Sequence, residues 1–213
     1  MITVKHRDDV MTRSSKENLV EDDSLIKNPI RYQFKIILLG DGGSGKTCLT
    51  NRFCYNQFRD TKLTIGLSFN SYSIQAQEND RKFRIGLSIW DFGGQRRFKP
   101  LLPQFITGAT AALLVHDLTS FRTLVNLENE WAPLLKANAG NIPLVLLGTK
   151  SDLITNELEV NQESINSIQN KIGAVASYET SSVTGVGVDD AFKRVVREIL
   201  NKPPYDKRDI EIL

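Results

Sequence analysis

A chain of 213 residues is the size of one ordinary domain with length left over for tails. Its 27 basic and 25 acidic residues leave a formal charge of +2 without a long Lys or Arg run, so no nucleic-acid footprint is expected. The two cysteines, Cys48 and Cys54, share one short segment with no His nearby, which argues against a disulfide framework or zinc site and for a reducing compartment. Residues 1–33 are polar, mixed in charge and aperiodic, and read as a flexible extension closed by the Asn28-Pro29 break. They carry no apolar core of a secretory signal, and no apolar run in the chain approaches a membrane span. Ile2 and the cysteine-free ending DIEIL supply neither a myristoylation nor a prenylation signal. A cytoplasmic location is expected, with membranes reached only indirectly.

From Phe34 onward, the short apolar runs FKIILL, RIGLSIW, AALLVHD, IPLVLLG and AVASYET alternate with segments of helical spacing. Continuous rather than alternating apolarity marks strands covered on both faces, so an α/β architecture with a mostly parallel sheet follows. FNSYSIQAQ and RKFRIGLSIW face each other across Glu78-Asn79-Asp80 as a hairpin, giving one antiparallel edge. Pro133 should kink or divide the helical segment 124–136. Ile165, Ile168 and Ile172 predict a helix ended by Gly173, and Val188, Phe192, Val195, Val196, Ile199 and Leu200 form the stripe of a last helix that stops before Pro203-Pro204. The expected division is an extension over 1–33, a domain over 34–200 and a tail over 201–213.

Between the strand FKIILL and the helical segment CLTNRF lies Gly40-Asp41-Gly42-Gly43-Ser44-Gly45-Lys46-Thr47, which fits G-x-x-x-x-G-K-[ST]. Glycines let consecutive N–H groups turn inward, the helix adds its positive end, Lys46 supplies a point charge and the Thr47 hydroxyl can ligate Mg²⁺. This is a cradle for a nucleoside polyphosphate. Asp91 ends the next strand, where it could hold Mg²⁺ through a water; Gly94 could offer an N–H to a terminal phosphate, and Gln95 could orient an attacking water. Thr149-Lys150-Ser151-Asp152 follows the strand LVLLG. A carboxylate two residues past a lysine can accept both N–H groups on guanine's Watson–Crick edge while the lysine stem covers the base. Glu179-Thr180-Ser181-Ser182 could add a backbone N–H for the guanine carbonyl. His116 reads as a strand-edge packing residue, Trp131 and Phe121 as core or helix-edge aromatics, and Arg96 and Arg97 as a solvated or partner-facing surface. Cys48 and Cys54 read as small packing residues, with Cys48 near enough to the loop to count among the nucleotide positions.

Taken in order, the phosphate loop, KLTIGLSF, WDFGGQRRF, GATAALLVHDLT, GTKSDL and ETSSVTGVGVDDAF resemble the Ras-like small GTPases, the Rab branch above all, over about 34–200. The resemblance implies a P-loop three-layer sandwich, with a mostly parallel six-stranded sheet, one antiparallel edge strand and helices on both faces. It implies that Thr64 reaches Mg²⁺ and the terminal phosphate, that Phe58 packs on the base, and that switch regions near 58–66 and 91–105 are ordered by the third phosphate. GTP hydrolysis with Mg²⁺, slow without an activating protein, and the company of an exchange factor and effectors are expected. A nucleotide-binding interaction module with little hydrolysis is the alternative. Thr149 stands where the family usually has Asn, as in the Rho branch. Phe92-Gly93 replaces the usual Thr-Ala and is expected to loosen its switch, and Val183 replaces a lysine that supports the base loop.

Overall fold

The computed structural model describes residues 28–60, 64, 66–94, 96–154 and 160–213. Its strands are β1 (Ile30–Leu39), β2 (Leu67–Glu78), β3 (Arg81–Phe92), β4 (Ala111–Asp117), β5 (Leu144–Thr149), β6 (Ala176–Glu179) and β7 (Glu211–Ile212). Its α-helices are α1 (Lys46–Tyr55), α2 (Leu102–Ile106), α3 (Phe121–Asn126), α4 (Ala132–Ala139), α5 (Gln162–Ile172) and α6 (Val188–Leu200). The sheet order is β6-β5-β4-β1-β3-β2-β7. β1 pairs in parallel with both β3 and β4, β5 pairs in parallel with β4 and β6, and β2 runs antiparallel to β3 and to β7.

Six strands were expected, and seven are present among the described residues. The additional one comes from the expected tail, which doubles back so that Ile212 pairs with Ala76 and Glu211 with Gln77. Edge backbone groups on β2 offer the ladder, and burial of Ile210 together with Tyr205 packed edge-on against Tyr32 and Phe34 (centroids 5.8 and 5.2 Å) holds the segment down. β2 is therefore the inner antiparallel strand rather than the edge. At the other end, β1 opens at Ile30, ahead of the expected Phe34, and Pro29 already accepts a bond from the Arg84 amide.

Continuous apolar strands are explained by two cores, one on each face of the sheet. Phe34, Ile36 and Leu38 of β1, with Leu87 and Ile89 of β3, pack under α1 and α6, where Phe53 and Phe192 stack at 3.8 Å. Their neighbours Ile37 and Leu39, with Ala112, Leu114 and Leu146, pack under α2 to α5 through Ile106, Leu124, Leu135 and Ile168. Each fully buried Leu, Ile or Phe contributes about 1.5–3 kcal/mol, so both helix layers contribute to holding the sheet between them. The hairpin turns on Asn79 and Asp80, both with positive φ (48° and 63°), as a two-residue connection of this hand requires. Pro133 has its expected effect: Leu127–Trp131 is a π turn between α3 and α4, because proline cannot donate to the carbonyl one α-turn earlier. Among the described residues no helix is long and apolar enough to cross a membrane.

The register aligns the carboxyl ends of the parallel strands into one rim. Leu38 lies opposite Asp91, Leu39 opposite Leu114, Asp117 opposite Thr149, and Gly148 opposite Glu179. β1 sits where the chain departs in opposite directions, toward β3 on one side and β4 on the other, and a crevice opens above such a point.

Candidate functional site

A cleft of about 370 Å³ occupies this rim. Its floor is the loop from β1 to α1. Gly40 must be glycine, because a Cβ there would lie 2.1 Å from the Val115 carbonyl oxygen. Gly45, at φ 86°, caps α1 in a conformation that favours glycine and lets the helix's free N–H groups face the cleft. Lys46 is buried, and its Nζ donates to the carbonyls of Gly40 (2.9 Å) and Asp41 (2.7 Å). Burial lowers its pKa to about 8 against the opposing pull of Asp91 and Asp41.

Beside it, three oxygen-bearing side chains converge. Thr47 Oγ1 lies 2.5 Å from Thr64 Oγ1 and donates to Asp91 Oδ2. Asp91 is fully buried, which pushes its carboxyl up despite Lys46 and Thr47, and its Oδ1 has no partner. Two hydroxyls and one under-bonded carboxylate are hard oxygen donors that fit Mg²⁺ completed by substrate phosphates, and among the described residues no cluster of three or more His, Cys, Asp or Glu offers a self-sufficient metal cage.

The segment after β3 presses on this loop. A Cβ on Gly94 would sit 2.2 Å from the Gly42 nitrogen, and one on Gly93 would sit 2.5 Å from the Thr64 carbonyl oxygen. The Gly93 amide also donates to Gly66 (2.8 Å). Gly93, expected to loosen the switch, is thus a buried point of close contact between the two switch segments. Gln95, residues 61–63 and residue 65 lie outside the described residues.

The far end of the cleft is a bonded network. Thr149 Oγ1 donates to the Ser44 carbonyl (2.7 Å), tying the base segment to the phosphate loop. Lys150, held at φ 64°, pairs with Asp117 Oδ2 at 2.5 Å. Burial pushes the Asp117 carboxyl up, but Lys150 and Thr119 together hold it below its ordinary value. Asp152 Oδ1 accepts from Ser181 Oγ at 2.5 Å, and that hydroxyl accepts in turn from the amides of Val183 (3.2 Å) and Thr184 (3.1 Å). Phe58, 45% exposed, stands at the mouth.

Of the expected residues, Gly42, Gly43, Gly45, Lys46, Thr47, Cys48, Phe58, Thr64, Gly94, Thr149, Lys150, Asp152 and Ser182 line the cleft together. Asp91 is buried behind Thr47, off the lining, and three more are placed differently. Asp41 turns its carboxylate away, to Asn126 Nδ2 (2.6 Å) and Trp131 Nε1 (2.8 Å), because next to a phosphate site its charge is better neutralised elsewhere. Ser44 is buried behind the loop, and Ser181 supports Asp152 from beneath. His116 is a packing residue as expected: burial lowers its pKa to about 4, so the ring is neutral. Sequence reasoning did not place Asp60, Phe92, Gly93, Leu153 or Val183 in the lining, and it missed Arg52, which reaches from α1 to the carbonyls of Ser182 (2.6 Å) and Val183 (2.7 Å). Arg52 thus braces the segment in which Val183 stands. Asp117 had a signal, closing an apolar strand at the same rim; Arg52 had none.

The Ras family model matches residues 35–201. The Ras-related protein Rab-13 of Mesocricetus auratus is 35% identical over 173 residues, 80% of this chain and 82% of that protein. Rab-4A of Bos taurus is 36% identical over 182 residues (84% and 80%), and the GTP-binding protein ypt4 of Schizosaccharomyces pombe 35% over 178 (83% and 75%). With the cleft, its phosphate loop and its base segment in place, the chain belongs to the Ras family of small GTPases, similar to its Rab members, and cycles between GTP and GDP by hydrolysis.

Proposed function

We propose that guanine is read by Asp152, with the Lys150 stem and Phe58 against the base and the segment 180–182 supporting the carbonyl side. The phosphates rest on the loop N–H groups and on Lys46, whose ammonium exchanges loop carbonyls for phosphate oxygens. Thr47 and Thr64 would hold Mg²⁺ directly and Asp91 through a water. Bound there, the ion supplies charge neutralisation on the β- and γ-phosphate oxygens. Gly94 offers its N–H to the terminal phosphate, and Gln95 orients the water for in-line attack. The observation that carries this reading is that donors for a hard cation and acceptors for a guanine edge line opposite ends of one cleft.

No arginine lines the cleft among the described residues, so turnover is slow alone, and an arginine from an activating protein would add about 10³–10⁵ in rate. Exchange factors and effectors meet the segments 58–66 and 91–105, from a cytoplasmic pool that reaches membranes through partners. Extracting the nucleotide from the purified chain, reloading it with GTP and Mg²⁺ and following one turnover tests the reading. Bound GDP and slower hydrolysis in Gln95→Leu are expected; adenine nucleotide in the extract, or GTP persisting equally in both forms, would sink it.

A further inference from the structure

We infer that Asn126 and Trp131 are positioning residues for nucleotide retention, and that Lys99, Trp131 and Asp41 link the segment after Gly94 to the phosphate loop. The inference deepens the reading above and rests on it. Asp41 brings a negative charge into a loop that is to receive phosphates, and both its carboxylate oxygens are occupied on the side away from the cleft, one by Asn126 and one by Trp131. Bonds to a charged acceptor are the stronger class. The carbonyl of the same residue accepts from Lys46 Nζ at 2.7 Å. Displacing Asp41 therefore displaces the lysine that grips the phosphates.

The two donors are five residues apart, a spacing that in an α-helix of 3.6 residues per turn points to different sides. They meet one carboxylate because Leu127–Trp131 is a π turn, whose wider winding brings residues five apart onto one side. The π turn caused by Pro133 thus builds the clamp. The Trp131 ring, 1% exposed, carries Lys99 Nζ 4.6 Å from its centroid, and Lys99 also pairs with Glu130. Lys99 belongs to the short 3-10 helix Arg96–Leu101 that follows Gly94. A contiguous series of charge, ring, N–H and carboxylate contacts then joins the second switch segment to the loop, beside the direct contact of Gly94 with Gly42. The same structure holds Thr64 against Thr47, so the series and that contact coexist, and we take both to belong to the triphosphate form.

The test uses the full chain loaded, with Mg²⁺, with GDP or a non-hydrolysable GTP analogue, each fluorescently labelled on the ribose and released by excess unlabelled nucleotide. Trp131→Phe keeps an aromatic ring beside Lys99 but removes the N–H together with part of the indole; it should speed release of both nucleotides about tenfold, and Asn126→Leu, which removes the other donor without touching the ring, should do the same. Lys99→Met should speed release of the GTP analogue about threefold and leave GDP alone, with Lys99→Arg restoring the original rate. Release within twofold of the unaltered chain in both Trp131→Phe and Asn126→Leu overturns the positioning role, whatever happens to the melting temperature. Equal shifts of GDP and analogue in Lys99→Met, or none, overturn the link. If the unaltered chain retains no guanine nucleotide, the reading of the site falls and this inference with it; if it retains both and the variants match it, only this inference falls.

Discussion

At the base end of the cleft, Thr149, Lys150, Asp152 and Ser181 are all bonded within the protein. At the phosphate end, Asp91 keeps an oxygen without a partner, and Lys46 carries its proton in a site that disfavours the charge. The base end is pre-organised, so little is lost in ordering it, whereas the phosphate end stores desolvation that an anion and a cation together relieve. On the proposed reading, selectivity would belong to the first end and ligand-dependent stability to the second.

Removing the reading carboxylate is the most direct way to break this division. Asp152→Ala should weaken GDP binding by about 10³ or more, since the guanine N–H groups and Ser181 lose their acceptor together. Calorimetric titration gives the number, and a loss below tenfold would mean that the base end is not the reading head. Next in size is Lys46→Met, expected to weaken GTP binding about a hundredfold by equilibrium titration. It also has a pH signature. The folded pKa of about 8 lies below the ordinary 10.5, so between these values the unfolded chain holds more protons than the folded one, and the nucleotide-free protein gains stability as pH rises through that window. Subtracting the melting temperatures of Lys46→Met from those of the unaltered chain at pH 8 and pH 10 should show this gain; a flat difference would refute it.

Arg52→Ala sharpens the comparison from the side. It frees the carbonyls of Ser182 and Val183, and GDP release should rise about tenfold in stopped flow, with the Mg²⁺ dependence of release unchanged. The smallest effect is expected from Gly93→Ala. The methyl meets the Thr64 carbonyl, so the contact between the switch segments is expected to open. Release of a GTP analogue should rise about threefold, and an equal rise for GDP would show that Gly93 supports the whole site.

The phosphate loop and Thr149–Asp152 were legible because their chemistry is local: a short spacing directly after an apolar strand places a lysine, a hydroxyl and a carboxylate. The seventh strand was not, since two residues carry no periodicity and their ladder depends on a partner more than a hundred positions away. Asp41 shows the same limit within the motif. The loop pattern places its backbone, but its carboxylate answers to Asn126 and Trp131, which only the packed helix layer brings near. Gly93 is the instructive case: glycine's conformational freedom is a property of the residue, while its use here as a point of close approach is a property of its neighbours.

Strand β7 also sets how the molecule yields to load. Pulled from Leu213, the chain transmits tension to the Gln75 bond and the two ladder pairs at Ala76 and Gln77, far fewer than the twelve register pairs that join β2 to β3. The last strand, also held by Arg197 on the Ile210 carbonyl and Gln77 on Glu211, is expected to peel away before the rim comes apart.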